Sequence, residues 1–300
     1  MEIHGFVSQG AFKTSVNNYL VRDSVDGSLE FSEAGINFTK TLGDNLRVGI
    51  QLFARDLGPI GDYKPQLDWY YLDYRVTDWL GLRAGRLKLP LGLYNETSDI
   101  DSARVPILLP QSLYPTQNRD YFLAQTGGEL YGLLPLGEAG ALDYRAYGGT
   151  IFIDVPSYSA AGTTEVSIPY LYGGRLLWRT PLEGLQAGAS AQRLLLDVHY
   201  VPSGDVVATY PMPLPSDFEG TVELEAPITI FVASAEYAAD DLLLSAEYQR
   251  EWVRIESSLP EQYPESKTTA EGFYVMASYH VTSWFAPGAY YSVTLSLIHI

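Results

Sequence analysis

The sequence predicts an all-β protein, an antiparallel transmembrane β-barrel, on three observations. Apolar and polar side chains alternate with period two over many short segments, as in strands with two unlike faces. The connections between these segments alternate between short and long along the chain, as in a membrane barrel. No apolar run reaches the roughly 18 residues of a membrane helix, whereas a tilted barrel strand needs only about 9–11.

The stretch from Leu67 to Pro115 organises the rest. In its first strand Tyr70, Leu72, Tyr74 and Val76 share one face, and Trp69, Tyr71, Asp73 and Arg75 share the other. A tight turn at Thr77-Asp78-Trp79 leads into a second strand, Leu80 to Lys88. Pro90 then opens some thirty residues without strand pattern, a length that inside a domain usually means function. This loop is expected to fold back into the lumen. One conflict stands out. Alternation aims Arg86 and Lys88 at the face of Leu82 and Ala84, where charges beside hydrocarbon would be costly. A β-bulge at Gly85 would turn both into the lumen. Burial of that face against a neighbouring subunit is the alternative.

The other elements follow the same rule. Leu46, Val48, Ile50, Leu52 and Ala54 alternate with Arg47, Gly49, Gln51, Phe53 and Arg55. Leu142, Tyr144 and Ala146 alternate with Asp143, Arg145 and Tyr147, and Tyr170, Tyr172, Leu176 and Trp178 with Arg175 and Arg179. Phe273, Val275, Ala277, Tyr279 and Val281 alternate with Gly272, Tyr274, Ser278 and His280. Short turns are read at residues 42–45, 77–79, 137–140, 181–184, 239–241 and 282–284, and long connections near 13–27, 57–66, 89–120, 154–166, 197–220 and 257–270. Tyr74 to Leu80 and Tyr279 to Phe285 form a weak repeat that places a Trp at each of two short turns, where an indole suits the membrane interface. Helical pattern is confined to a short turn near Ile100 to Leu108.

Composition narrows the function classes. The formal charge of −17, from 19 basic and 36 acidic side chains, excludes nucleic acid as a partner. There is no cysteine, so neither disulfides nor thiolate metal sites can form. No cofactor or metal is implied: Asp23-Ser24-Val25-Asp26-Gly27 lacks the spacing and terminal Glu of a calcium loop. The four histidines are scattered, and no metalloprotease, phosphate-binding or serine-hydrolase element occurs. On that basis the chain is expected not to be an enzyme.

The segment Leu82-Arg83-Ala84-Gly85-Arg86-Leu87-Lys88-Leu89-Pro90-Leu91-Gly92-Leu93-Tyr94-Asn95, with Asp99-Ile100-Asp101 and Leu109-Pro110-Gln111-Ser112-Leu113-Tyr114-Pro115, resembles Gram-negative outer-membrane porins related to the phosphate-selective type. The opening Ile3-His4-Gly5-Phe6 is similar to the first strand of such a mature domain. The resemblance implies a trimer of sixteen-stranded barrels in the outer membrane, with short periplasmic turns, long extracellular loops and a third loop folded into the lumen. About thirteen strands are counted by alternation, so residues 1–294 are read as one barrel domain incomplete at its C-terminus. The sequence is expected to begin at the mature domain, the leader lying outside it. Residues 295–300, Leu295-Ser296-Leu297-Ile298-His299-Ile300, are read as a non-native tail.

The expected function is passive diffusion of small hydrophilic solutes, anions among them, through a water-filled lumen narrowed by the loop. Arg47, Arg55, Arg75 and Arg83 lie on the polar faces, Arg86 and Lys88 lead into the loop, and Glu96, Asp99, Asp101 and Arg104 lie on it. A basic wall facing an acidic loop would set a transverse field across a constriction. Ordinary polar-face charges or structural ion pairs are the bland reading of the same residues. Two other classes stay open: a secreted soluble β protein binding carbohydrate through its tyrosines, and a non-conducting barrel for adhesion or anchoring.

Overall fold

Each alternating segment forms a strand that pairs with the next one along the chain. The computed structural model describes residues 1–21, 23–58, 61–98, 100, 104–116, 119–153, 163–201, 220–261 and 263–299. The strands are β1 (Glu2–Gln9), β2 (Ser32–Leu42), β3 (Leu46–Asp56), β4 (Gln66–Thr77), β5 (Leu80–Lys88), β6 (Ala124–Pro135), β7 (Ala141–Phe152), β8 (Thr163–Arg179), β9 (Leu185–Tyr200), β10 (Val222–Ala239), β11 (Leu242–Ser257), β12 (Ser266–Tyr279) and β13 (Gly288–His299). They make one 13-stranded sheet in strict sequence order, all antiparallel. The order runs from β1 to β13 with no ladder joining those two, so the chain forms an open, barrel-like meander.

The turns sort by length as the sequence predicts. Short ones join β2 to β3, β4 to β5, β6 to β7, β8 to β9, β10 to β11 and β12 to β13, all at one edge. Strands run farther than expected at the opposite edge: β8 begins at Thr163, β9 continues to Tyr200 and β12 begins at Ser266. Those residues carry mixed polar composition, which hides alternation, yet their backbones continue the ladders. Residues Leu295 to His299 likewise continue β13, paired to β12 from Glu271 to Lys267. The helical turn sought near Ile100 to Leu108 is absent among the described residues there. Helical geometry appears instead as a 3-10 turn at Asn95–Thr97 and as α1 (Arg119–Phe122).

The two faces differ sharply. Outer positions stay exposed despite being apolar: Ile50, Leu52, Leu72, Tyr74, Leu82, Leu130, Tyr172, Leu176, Phe273 and Val275. Their alternate neighbours on the other face include buried Gln51, Glu129, Ser190, Gln192, Glu247 and Tyr274. A soluble sheet would invert this arrangement, because burying polar groups while wetting apolar ones is unfavourable. Trp79 and Trp284 sit exposed at two short turns of the same edge, and Trp178 joins them, its indole donating to Ala139 O at 2.8 Å.

The bulge expected at Gly85 is not there. Ladder pairing is continuous through Gly85 on both sides, so Arg86 opposes Tyr70 and keeps the register of Leu82 and Ala84. The irregularity lies one strand away, in β4: Gln51 opposes Trp69 and Leu52 opposes Leu67, leaving Asp68 as the extra residue. The displaced Asp68 carbonyl accepts from Arg86 Nε at 2.7 Å, and Lys88 Nζ donates to Glu96 O of the loop at 2.8 Å. Both cations thus find main-chain acceptors within the chain. Gly85 is still required, since its φ is +138° and an added Cβ would lie 2.3 Å from Tyr70 O.

Gly85→Ala should therefore lower unfolding stability by about 1–3 kcal/mol, the cost of a strained backbone position. Gly128→Ala, whose added Cβ meets nothing nearer than Arg83 O at 3.7 Å, should be tolerated. Denaturation of both variants in detergent compares them directly.

Candidate functional site: a loop crossing the inner face

The segment between β5 and β6 leaves the sheet because Pro90 has no N–H for a ladder and fixes its own φ. Its base is closed by Leu89 N–H donating to Leu123 O at 2.8 Å. The buried Asn95 side-chain amide donates to both Leu89 O and Phe122 O at 2.9 Å, tying the outgoing and returning limbs together. The Arg119 guanidinium pairs with Asp68 through two bonds of 2.9 Å and lies over the Phe53 ring at 4.0 Å. The β4 bulge is what swings Asp68 to that inner position.

From this base the loop spans to the far strands. Gly92 N–H donates to Ser190 Oγ of β9 at 3.0 Å, and Leu93 N–H to Glu247 Oε1 of β11 at 2.8 Å. The Tyr94 hydroxyl donates to Glu236 of β10, and the Tyr114 hydroxyl to Glu247. Glu247 also accepts from Tyr274 at 2.7 Å and Ser234 at 2.5 Å, so a single buried carboxylate holds four donors. Burial, and then the carboxylates beside them, raise the Tyr94 and Tyr114 hydroxyls well above the usual tyrosine range, so both stay protonated as donors. Leu89, Leu91, Leu109 and Leu113 pack beneath on Ile228, Ile230, Val232 and Met276. Each such leucine contributes about 1.5–3 kcal/mol. The approach is close at Gly272, where a Cβ would meet Ser112 O at 2.5 Å.

Beside the loop lies a charge cluster. Arg83 pairs with Asp73 at 2.9 Å and Glu129 at 3.2 Å, with its guanidinium 4.1 Å over the Tyr131 ring. Arg145 and Arg175, from β7 and β8, converge on the two oxygens of Glu96 at 3.0 and 3.1 Å. Arg145 also reaches Glu129 at 3.2 Å, and Arg175 reaches Asp143 at 3.5 Å. A cavity of about 260 Å³ opens here, bordered by Arg47, Trp69, Tyr71, Asp73, Lys88 and Glu96 among others. Trp69 and Tyr71 stack along one side at 5.6 Å.

The residues singled out from the sequence scatter across this geometry. Arg83, Lys88 and Glu96 come together, with Arg47 at the border, where it also sits 3.7 Å from Glu2. Arg86 borders the same cavity while held on Asp68 O. Arg55 is buried and donates to Thr116 O at 3.1 Å, which ties down the loop's return limb. Arg75 is exposed at the short-turn end of β4, and Arg104 folds onto the carbonyls of Pro106 and Ile107. Asp99 and Asp101 lie outside the described residues. Sequence reasoning passed over Asp73, Glu129, Asp143, Arg145 and Arg175. Alternation had already put Arg145 and Arg175 on the polar face; what it lacked was which strands the loop reaches.

Comparison with solved structures returns outer-membrane proteins. The chain matches in-vitro folded OmpT, an outer membrane protein of Vibrio cholerae, with a TM-score of 0.47 at 14% identity over 98% of this chain and 86% of that one. It matches Salmonella typhi OmpF in complex with daunomycin with a TM-score of 0.40 at 9% identity, covering 99% and 97%. It matches Pseudomonas aeruginosa OpdQ at 0.30 and 7%, covering 89% and 93%. No family model matches the sequence, and no curated protein does. At these identities none of the likenesses assigns a role to a residue, and none singles out the phosphate-selective type. The exclusion of enzymatic activity drawn from the sequence is corrected: OmpT proteins recur among the matches, and likeness to them leaves no ground for excluding a reaction.

Removing the Glu247 side chain should release the loop while leaving the strands paired. In Glu247→Ala, Tyr114, Tyr274 and Leu93 N–H lose their shared acceptor, each unsatisfied group costing about 1–3 kcal/mol. Limited proteolysis should cut between residues 89 and 123 faster than in the parent protein, with strand content by circular dichroism unchanged.

Proposed function

We propose that the chain is an outer-membrane porin through which small hydrophilic solutes diffuse passively, past a constriction made by the loop and the strands β4 to β8. One observation carries this: an apolar outer face and a mixed inner face, charged beside β4 to β8 and apolar where the loop's leucines pack, enclose a loop pinned across the interior. The strands run from 8 residues in β1 to 18 in β10, and all but β1 reach the roughly 9–11 residues of a tilted bilayer crossing. The outer membrane is the location, lipid covers Ile50, Leu72 and Leu176, and exposed tryptophans mark the short-turn interface. Closure of the sheet by further strands and assembly into a homotrimer belong to the same reading, as does residues 1–294 forming a single domain.

The constriction is bounded by Arg47, Arg83, Arg86, Lys88 and Glu96 from the sequence-derived set, with Asp73, Glu129, Asp143, Arg145 and Arg175 added. Arg75 lies toward the short-turn mouth. Of the expected basic wall, Arg83 pairs with carboxylates, as do Arg145 and Arg175 beside it. A preference for anions is therefore weak. A local transverse field remains, because Glu96 enters from the loop side and the arginines from the wall.

Two measurements test this reading. Ile50→Arg should cost about 2–4 kcal/mol where lipid covers it near the bilayer midplane, whereas Gln51→Arg should assemble and alter conductance. Tolerance of the first with failure of the second would reverse the two faces. In planar bilayers Glu96→Gln should shift reversal potential toward anions, because Arg145 and Arg175 lose their shared partner. Arg83→Ala should shift it toward cations. Both shifts should shrink at high salt, as lumen charge is screened; absence of any conductance would remove the channel.

A further inference from the structure

A second cavity, of about 280 Å³, lies between the loop, the walls of β10 to β13 and the start of β2 around Phe31 and Glu33, apart from the charge cluster. Its floor is apolar, from Leu91, Leu109, Leu113, Phe122 and Ile230. Its wall carries Glu251, on the same face of β11 as Glu247 and Gln249. The other charges at the rim are engaged. Arg119 is bound to Asp68, Arg104 to the carbonyls of Pro106 and Ile107, and Glu271 to Arg250 at 3.5 Å. Glu251, partly buried, has no hydrogen bond or ion pair among the described residues. A carboxyl group held beside an apolar floor without a partner is costly to ionise, and a cation bound against it lowers that cost.

We propose that this cavity binds a small amphiphilic organic cation, whose apolar body lies on Leu91, Leu109 and Phe122 and whose ammonium group meets the Glu251 carboxylate. This deepens the channel reading, on which it rests for access from the lumen, by naming a solute class. The volume suits a ligand of one ring and a short amine arm, near the lower end of small-molecule sites. The pairing is a charge-assisted hydrogen bond in a partly dry setting, stronger than the same contact in water. An anionic analogue would meet Glu251 as a like charge.

The test is calorimetric titration of the chain refolded in detergent micelles with phenethylammonium, phenethyl alcohol and hydrocinnamate. Phenethylammonium should bind about tenfold or more tightly than the other two, and Glu251→Gln should remove most of that margin. Equal binding of all three probes, or an unchanged margin in Glu251→Gln, overturns the proposal. Should that variant fail to fold, the salt dependence of the parent protein decides. Phenethylammonium binding that weakens with salt while phenethyl alcohol binding does not sustains the site, and salt-independent binding overturns it. Conductance recorded on the same preparation keeps the two readings apart. Conduction without amine binding removes the site and leaves the channel; amine binding without conduction leaves the site and removes the channel.

Discussion

The arrangement of the interior depends on one buried carboxylate. Glu247 lies on β11, across the sheet from the strands where the loop begins and ends, and it holds four donors. Two of those donors come from the loop, Leu93 N–H and Tyr114, while Tyr274 and Ser234 come from the neighbouring strands. A carboxyl group so far from water is tolerated only when its acceptor sites are filled. The loop supplies half of what Glu247 needs, and Glu247 in turn fixes where the loop crosses. The leucines beneath add adhesion without direction, whereas the carboxylate specifies register.

That crossing decides the electrostatics of the interior. Once Gly92 and Tyr94 are held on β9 and β10, the next turn delivers Glu96 to Arg145 and Arg175. The same placement leaves the opposite flank of the loop facing β11 and β12, where Glu251 makes no ion pair among the described residues. The two sides of one loop thus have opposite character. One is a network of ion pairs, and the other is an apolar hollow beside the Glu251 carboxyl.

The β4 bulge shows how backbone irregularity serves the same end. One extra residue lets Asp68 and Trp69 serve the inner face in succession, so Asp68 meets Arg119 and Gln51 while Trp69 lines the cavity. The cost is a carbonyl released from the ladder, and Arg86 takes it up. A charge whose register assigns it to the apolar face is thereby accommodated by an irregularity on its neighbour. Gly85 contributes differently, through a backbone conformation that brings it close against Tyr70 and Tyr71.

Strand identity, turn edges and the two faces were legible in the sequence because each depends on residues one or two positions apart. Alternation in Leu46 to Arg55 or in Phe273 to Val281 reports its own face without help from distant chain. The division into short and long connections followed from the same local pattern. Three things were not legible. The bulge was misplaced, because a glycine is visible in sequence while an unpaired Asp68 is defined only against Gln51 and Leu52 of another strand. Glu129, Arg145 and Arg175 were not singled out as partners of the loop, because nothing local says that Glu96 meets β7 and β8. Glu247 was not singled out, and Arg55 read as a lining residue, until folding placed each against the loop. Contacts between residues more than a hundred positions apart, such as Leu93 with Glu247, arise from sheet curvature and loop path, which only the tertiary structure decides.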